Sequence, residues 1–195
     1  MLLILLWWCS VLLCTVPIGH ALLRWSFRKD VGDIATIPFV HLFLSGLFVV
    51  TVMGTVWSLV APVGAIALMV TAVVSLIVVM RLRASLARQL RARVAVLQAM
   101  PLLVKLSLGA LVVVALLKSA APSELYDEGG YFLPYIKWIE HYGAVPGIAN
   151  IEDRFGLNSA FHIPCALFSF AWLDGKGLYD LNGLFMVVVS AYFLG

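Results

Sequence analysis

Runs of about 20 consecutive apolar residues recur along this chain, and that is the length needed to cross a hydrocarbon core of about 30 Å. No other feature constrains the fold as strongly. Of the 195 residues, 63% are hydrophobic and 12% are charged. A water-soluble domain carries about 25% charge. A chain with half that charge cannot cover a solvent-facing surface. The composition therefore excludes a soluble globular enzyme, a disordered chain and a disulfide scaffold. The fold class it predicts is all-α, a polytopic transmembrane bundle of about six spans with a long outer loop carrying short helices.

The spans read as about Leu2–Leu23, Pro38–Ala61, Ala65–Met80, Pro101–Ala121, Asn158–Leu173 and Leu178–Gly195. Pro62-Val63-Gly64 ends the second, since Pro removes a backbone donor and Gly permits a tight turn. Between spans three and four, Leu82, Leu86, Leu90, Val94 and Leu97 recur at steps of three and four among arginines. That pattern predicts a separate amphipathic helix on the membrane surface. Met1–Leu23 has neither the basic start nor the small-residue end of a signal peptide, so it reads as a retained span. The apolar ending at Leu184–Gly195 suggests the N-terminal part of something longer.

Charge sets the expected sides. No acid lies between Asp33 and Glu124, where Arg81, Arg83, Arg88, Arg91 and Arg93 cluster. From Ser119 to Leu157 the balance reverses, with Glu124, Asp127, Glu128, Glu140, Glu152 and Asp153 against Lys137 and Arg154. Clustered Arg beside spans marks the cytoplasmic face. The expectation is a multi-pass membrane protein with loop 122–157 extracytoplasmic. A net charge of +3 is too small to suggest nucleic acid as a partner.

The outer loop holds the candidate chemistry. Tyr131, Tyr135, Trp138 and Tyr142 fall at steps of four, three and four along one side of a short helix that Gly143 stops. Such rings either stack on a sugar or form an interfacial belt. Asp127 and Glu128 precede them. A carboxylate there can deprotonate a hydroxyl or hold a divalent cation, and it can equally cap the helix. Arg154 and Lys137 are the loop's only bases; each can bind phosphate or pair with Asp153 or Glu152. Asn150, Asn158 and Ser159 offer hydrogen bonds to a polar ligand, or a cap for the next span. His141 and His162 have no metal-ligand spacing, and His20 and His41 have no evident partner, though His41 could face a bundle interior. Cys9, Cys14 and Cys165 read as small apolar residues. Gly46, Gly54, Gly64 and Gly109 read as helix-contact or turn glycines.

The run Tyr126–Ser159 resembles the first outer loop of C-type, polyprenyl-phosphate-sugar-dependent membrane glycosyltransferases. More narrowly it resembles a bacterial membrane protein group related to them. The residues that carry the likeness are Asp127, Tyr131, Ile136-Lys137-Trp138-Ile139, Tyr142-Gly143, Val145-Pro146-Gly147, Asn150, Arg154 and Gly156-Leu157-Asn158-Ser159. The resemblance implies transfer of a hexose or pentose from a polyprenyl-phosphate carrier to a glycan or lipid acceptor outside the membrane. It implies Asp127, beside Glu128, as the catalytic base or the ligand of a divalent cation. It implies Arg154 or Lys137 as the cation facing the phosphate, with Tyr131, Trp138, Asn150 and Asn158 as further binding residues. On this reading residues 1–100 are added N-terminal spans and 101–195 begin the transferase-like core. The alternative is a non-catalytic component of surface polysaccharide assembly, with the loop as a glycan-binding lid.

Overall fold

The computed structural model describes residues 1–27, 37–121, 128–157, 159–174 and 178–194. Among them there are helices, turns and bends and no strand. The helices are α1 (Leu2–Phe27), α2 (Phe39–Ser58), α3 (Ala65–Ala99), α4 (Leu102–Ala120), α5 (Leu133–Tyr142), α6 (His162–Leu167), α7 (Ala171–Asp174) and α8 (Leu181–Leu194). The first four are long and apolar enough to cross a membrane. Their outward faces bear Leu13, Leu102, Leu103 and Leu106, all more than half exposed, which water would not tolerate as a continuous surface.

Two segments differ from the expected six spans. The stretch 158–173 is not one helix: α6 stops at Leu167 and α7 starts at Ala171, with Phe170 between them at φ 55°. A bulky residue in the left-handed region cannot continue an α-helix. There the Leu178 amide donates to the Ser169 carbonyl at 2.8 Å, and the Ala171 amide to the Ser169 hydroxyl at 3.3 Å. The last apolar segment gives a helix of 14 residues. At 1.5 Å per residue that is about 21 Å, short of a full crossing.

The arginine-rich segment also differs. It is no separate surface helix but the continuation of α3, which runs 35 residues without a break. No Gly or Pro interrupts Ala65–Ala99, and Ala, Leu and Arg are good helix formers. The rod is about 52 Å long and outreaches the hydrocarbon core. Its buried positions there are Ser85 and Gln89, while Leu90, Val94 and Leu97 stay exposed.

The chain forms two compact units, and their division falls within α2 and within α3. One comprises Met1–Val49, Val73–Ala121 and Asp180–Gly195. In it α1 buries Ile4, Trp7, Trp8, Val11, Cys14, Thr15 and Ile18, a stripe at steps of three and four. α1 and α2 cross where Gly19 meets Gly46. A Cβ on Gly19 would fall on the Leu42 carbonyl and 2.6 Å from the Gly46 nitrogen. Small residues at a crossing let two backbones touch, as is common in membrane bundles. The Ser75 hydroxyl donates to the Leu13 carbonyl at 2.8 Å. His20, fully buried on α1, meets the Ser85 hydroxyl of α3 through Nε2 at 2.9 Å. The Arg93 guanidinium donates to the Ile37 carbonyl. His41 is exposed, with its ring set edge-on against Tyr192 at 5.8 Å, so it does not face an interior.

The second unit comprises Val50–Ala72 and Pro122–Tyr179. Gly54 of α2 lies against α6, where a Cβ would come 2.6 Å from Ile163 Cγ2. The Pro62-Val63-Gly64 turn forms where expected, and the Trp57 indole closes it by donating to the Pro62 carbonyl at 3.0 Å. α5 docks on this turn through its backbone. The Val63 amide donates to Ile139 O at 3.1 Å, and the Ala144 amide to Ser58 O at 2.8 Å.

Candidate functional site

The segment Glu128–Tyr142 positions most of the polar chemistry of the second unit. It opens with a π-turn, Glu128–Phe132, and continues as α5. Such turns are rare and frequent at functional sites. Pro134 sits in the first turn of α5, where its missing amide costs nothing. Gly143 ends the helix at φ 71°. That conformation suits glycine, and a Cβ would also come 2.6 Å from Ser58 O and 2.8 Å from Ala61 O. The helix stop expected at Gly143 is therefore observed, and close backbone packing reinforces it.

α5 has three kinds of face. Tyr135, Ile136 and Ile139 are buried. Trp138 and Tyr142 meet at 4.8 Å with their rings tilted by 45°, and Phe155 lies 5.4 Å from Tyr135 and 6.2 Å from Trp138. Tyr131, in the π-turn, stacks on Phe132 at 4.3 Å. The exposed Arg154 guanidinium lies over the Tyr131 ring at 5.5 Å. At an exposed site such a contact contributes about 0.5–1 kcal/mol, enough to bias the side chain's position while leaving its donors free.

Lys137, Glu140 and His141 mark the remaining face, at steps of three and one. They line an open cleft of about 480 Å³ with Trp57, Ala61, Pro62, Ser169, Trp172 and Tyr179 among the other walls. Glu140 is half-buried in it. Its Oε2 accepts a long hydrogen bond, 3.5 Å, from the Tyr179 hydroxyl, while Oε1 is buried without a hydrogen-bond donor. Burial pushes the Glu140 carboxyl above its usual range. The Ser169 and Tyr179 hydroxyls and the positive charge of His141 and Lys137 offset this in part. Burial and the adjacent Glu140 raise Tyr179 in turn, so its phenol stays a proton donor. In the sequence Glu140 is only one of the loop's six acids. The available signal was its place between Lys137 and His141 on a helix otherwise rich in aromatic and aliphatic residues.

The expected site residues are thus distributed. Tyr131 and Arg154 come together, and Trp138 belongs to the same aromatic group through Phe155. Lys137 lines the Glu140 cleft. Asn150 is exposed and ends a short 3-10 turn, Ile148–Asn150, whose entry residue Gly147 has φ 81°. Asp127 and Asn158 lie outside the described residues, and of Glu128 only the backbone at the start of the π-turn is described. The expected divalent cation at Asp127 and Glu128 lies outside them too. Among the described residues no three His, Cys, Asp or Glu side chains group as a metal site. His162 is buried between the rings of Phe132, at 5.4 Å, and Tyr135, at 5.1 Å. The three cysteines are free, with Cys14 and Cys165 buried and Cys9 exposed.

Among the described residues the fold is all helical, with four helices of membrane-crossing length and a segment, Glu128–Tyr142, rich in aromatic and ionisable side chains. The chain matches, over residues 1–195, the family described as Domain of unknown function (DUF8201), and it belongs to that family. No curated protein and no solved structure matches it.

Proposed function

We propose that this protein is a multi-pass, glycosyltransferase-like protein of a bacterial inner membrane. On this reading loop 122–157 is extracytoplasmic, and the protein transfers a sugar from a polyprenyl-phosphate carrier to a cell-surface glycan or lipid. One observation carries the reading. The Arg154 guanidinium lies on Tyr131, and Tyr131 belongs to the π-turn that opens at Glu128, directly after Asp127. A planar cation suited to phosphate thus rests on a ring that follows Glu128 by three residues in sequence, and that ring offers a surface suited to a sugar. The ordered signature Tyr126–Ser159 and the reversal of charge around it support the same reading.

In this mechanism Asp127 takes the proton from an acceptor hydroxyl as its oxygen attacks the anomeric carbon. The bond from that carbon to the carrier phosphate breaks, and the electron pair leaves with the phosphate. Arg154 faces the developing negative charge. Glu128 helps hold the acceptor, and Tyr131 and Trp138 offer ring faces to the sugar. Lys137, Asn150 and Asn158 supply further polar contacts along the outer segment.

The test uses the full protein in proteoliposomes with a radiolabelled polyprenyl-phosphate sugar and an accepting glycan. Asp127→Asn is expected to lower transfer by about 100-fold or more, the usual scale for removing a general base. Wild-type transfer that Asp127→Asn leaves unchanged would remove the reading.

A further inference from the structure

Apart from Lys137 in its wall, the Glu140 cleft has no role in the transfer step. Its volume lies in the range of small-molecule sites, about 300–1,000 Å³. Its lining combines ring faces with a few convergent polar groups. The Trp57 indole nitrogen is already engaged with Pro62, so that ring offers its apolar surface. Trp172 is about half exposed, at 49%. Ser169 is buried, at 3%, with its hydroxyl placed by the Ala171 amide. Glu140 Oε1 is buried and accepts no well-formed hydrogen bond, though the Ser169 hydroxyl lies near enough to favour the carboxylate. A buried acceptor without a donor is costly, and a ligand that brings an O–H relieves that cost.

Charge narrows the ligand. A phosphate or carboxylate would meet the Glu140 carboxylate at close range. An ammonium would meet the Lys137 cation in the cleft wall. A neutral ligand rich in hydroxyls meets neither repulsion. It donates to Glu140 Oε1, accepts from Lys137, exchanges hydrogen bonds with Ser169, and lays its C–H face on an indole.

We propose that the cleft between Glu140, Ser169, Trp57 and Trp172 is a binding site for a neutral sugar residue, separate from the Asp127 and Arg154 group. The site does not depend on the transfer reading, and it serves a glycan-binding protein as well as an enzyme. The sugar has two sources, a soluble glycan or the headgroup of a glycolipid.

The experiment places the full protein in lipid nanodiscs, free of sugar-headed detergent. It titrates methyl glucoside, methyl galactoside and methyl mannoside from solution, and in parallel the corresponding diacylglycerol glycolipids added to the disc, with ligand-observed NMR and calorimetry as readouts. Binding in either arm supports the proposal and identifies the source. Glu140→Ala is expected to weaken it at least about tenfold, the scale of losing a hydrogen bond to a charged group. Trp172→Ala, at a half-exposed rim position where folding is not at stake, is expected to weaken it by a similar factor. Asp127→Asn keeps this binding even where it abolishes transfer, so failure of one reading is distinguishable from failure of the other. Absence of binding in both arms overturns the proposal. So does wild-type affinity in both cleft variants, or tighter binding of choline or inorganic phosphate than of any glycoside.

Discussion

The indole Nε1 of Trp8 donates to Asp180 Oδ2 at 3.0 Å, joining residues 172 apart in sequence. The other carboxylate oxygen, Oδ1, accepts the Gly183 amide at 3.2 Å, so Asp180 caps the start of α8. One carboxylate thus fastens α8 to α1 and satisfies an amide of the first turn that otherwise lacks a partner. Asp180→Ala is expected to cost about 1–3 kcal/mol, from the lost cap and the buried donor left behind. Trp8→Phe removes the donor and also part of a buried ring, so its cost includes a cavity. Reversible denaturation in mixed micelles of both single variants and the double variant measures the coupling; strictly additive losses would show that the contact contributes nothing.

Arg154 and Lys are not equivalent over a phosphate, because only Arg presents a planar fork. Arg154→Lys is expected to weaken retention of polyprenyl phosphate about tenfold while keeping the charge, and Arg154→Ala to weaken it further. Carrier binding to nanodisc-held protein, without acceptor, reads this directly. Equal binding by all three proteins would place the phosphate elsewhere.

Glu140 makes a signed prediction about pH. Its folded-state pKa is raised, chiefly by burial, so the folded state holds the proton to higher pH than the unfolded chain. Stability from this group is full below the ordinary glutamate range and is lost as pH rises toward the raised value. Glu140→Gln cannot titrate. The variant is expected to gain stability relative to wild type as pH rises through that window, with a level difference above it. Melting temperatures of both proteins from acid to neutral pH check the sign, and an opposite slope would mean that the carboxylate is held by favourable partners.

The crossing at Gly19 and Gly46 gives a contrast between glycines. A Cβ at Gly46 would fall on the Thr15 carbonyl, and Gly46→Ala is expected to cost about 1–3 kcal/mol through forced separation of α1 and α2. At Gly109 nothing lies within 4 Å of such a Cβ, so Gly109→Ala is expected to be neutral or stabilising through helix propensity. Equal destabilisation by both would show that α4 carries a contact outside this chain.

Sidedness is open to a chemical test. With the native cysteines replaced, His141→Cys is expected to react with an impermeant thiol probe in intact cells, and Arg88→Cys only after lysis. Both positions are exposed in the fold. Labelling of Arg88→Cys alone in intact cells would invert the orientation and remove the lipid-carrier donor from reach of the loop.

Local signals in the sequence were the ones that carried. Pro62-Val63-Gly64 and Gly143 break helices by backbone chemistry that needs no tertiary context, and they were legible. Residues 81–100 were not, because a change from apolar to arginine-rich composition alters what surrounds a helix without ending it; α3 continues through Arg81 and Arg83. The break at Phe168–Phe170 was hidden for the opposite reason. Phe168, Ser169 and Phe170 include no Gly, Pro or Asn, so nothing in their composition signals the left-handed Phe170. In the candidate site, the aromatic spacing from Tyr131 to Tyr142 gave the helix and its phase. The partnership of Glu140 with Tyr179 joins residues far apart in the chain, and no spacing rule reaches it.

The interruption between α6 and α7 bears on which solvent surrounds it. Peptide groups released from a helical ladder cannot face hydrocarbon, where each unsatisfied one costs several kcal/mol. Ser169 meets part of that demand through its own carbonyl and hydroxyl. The rest requires protein cover or water at the depth where Ser169 lies. Ser169 is itself buried, so protein supplies that cover, and the cleft it shares with Glu140 is walled by side chains rather than by oil.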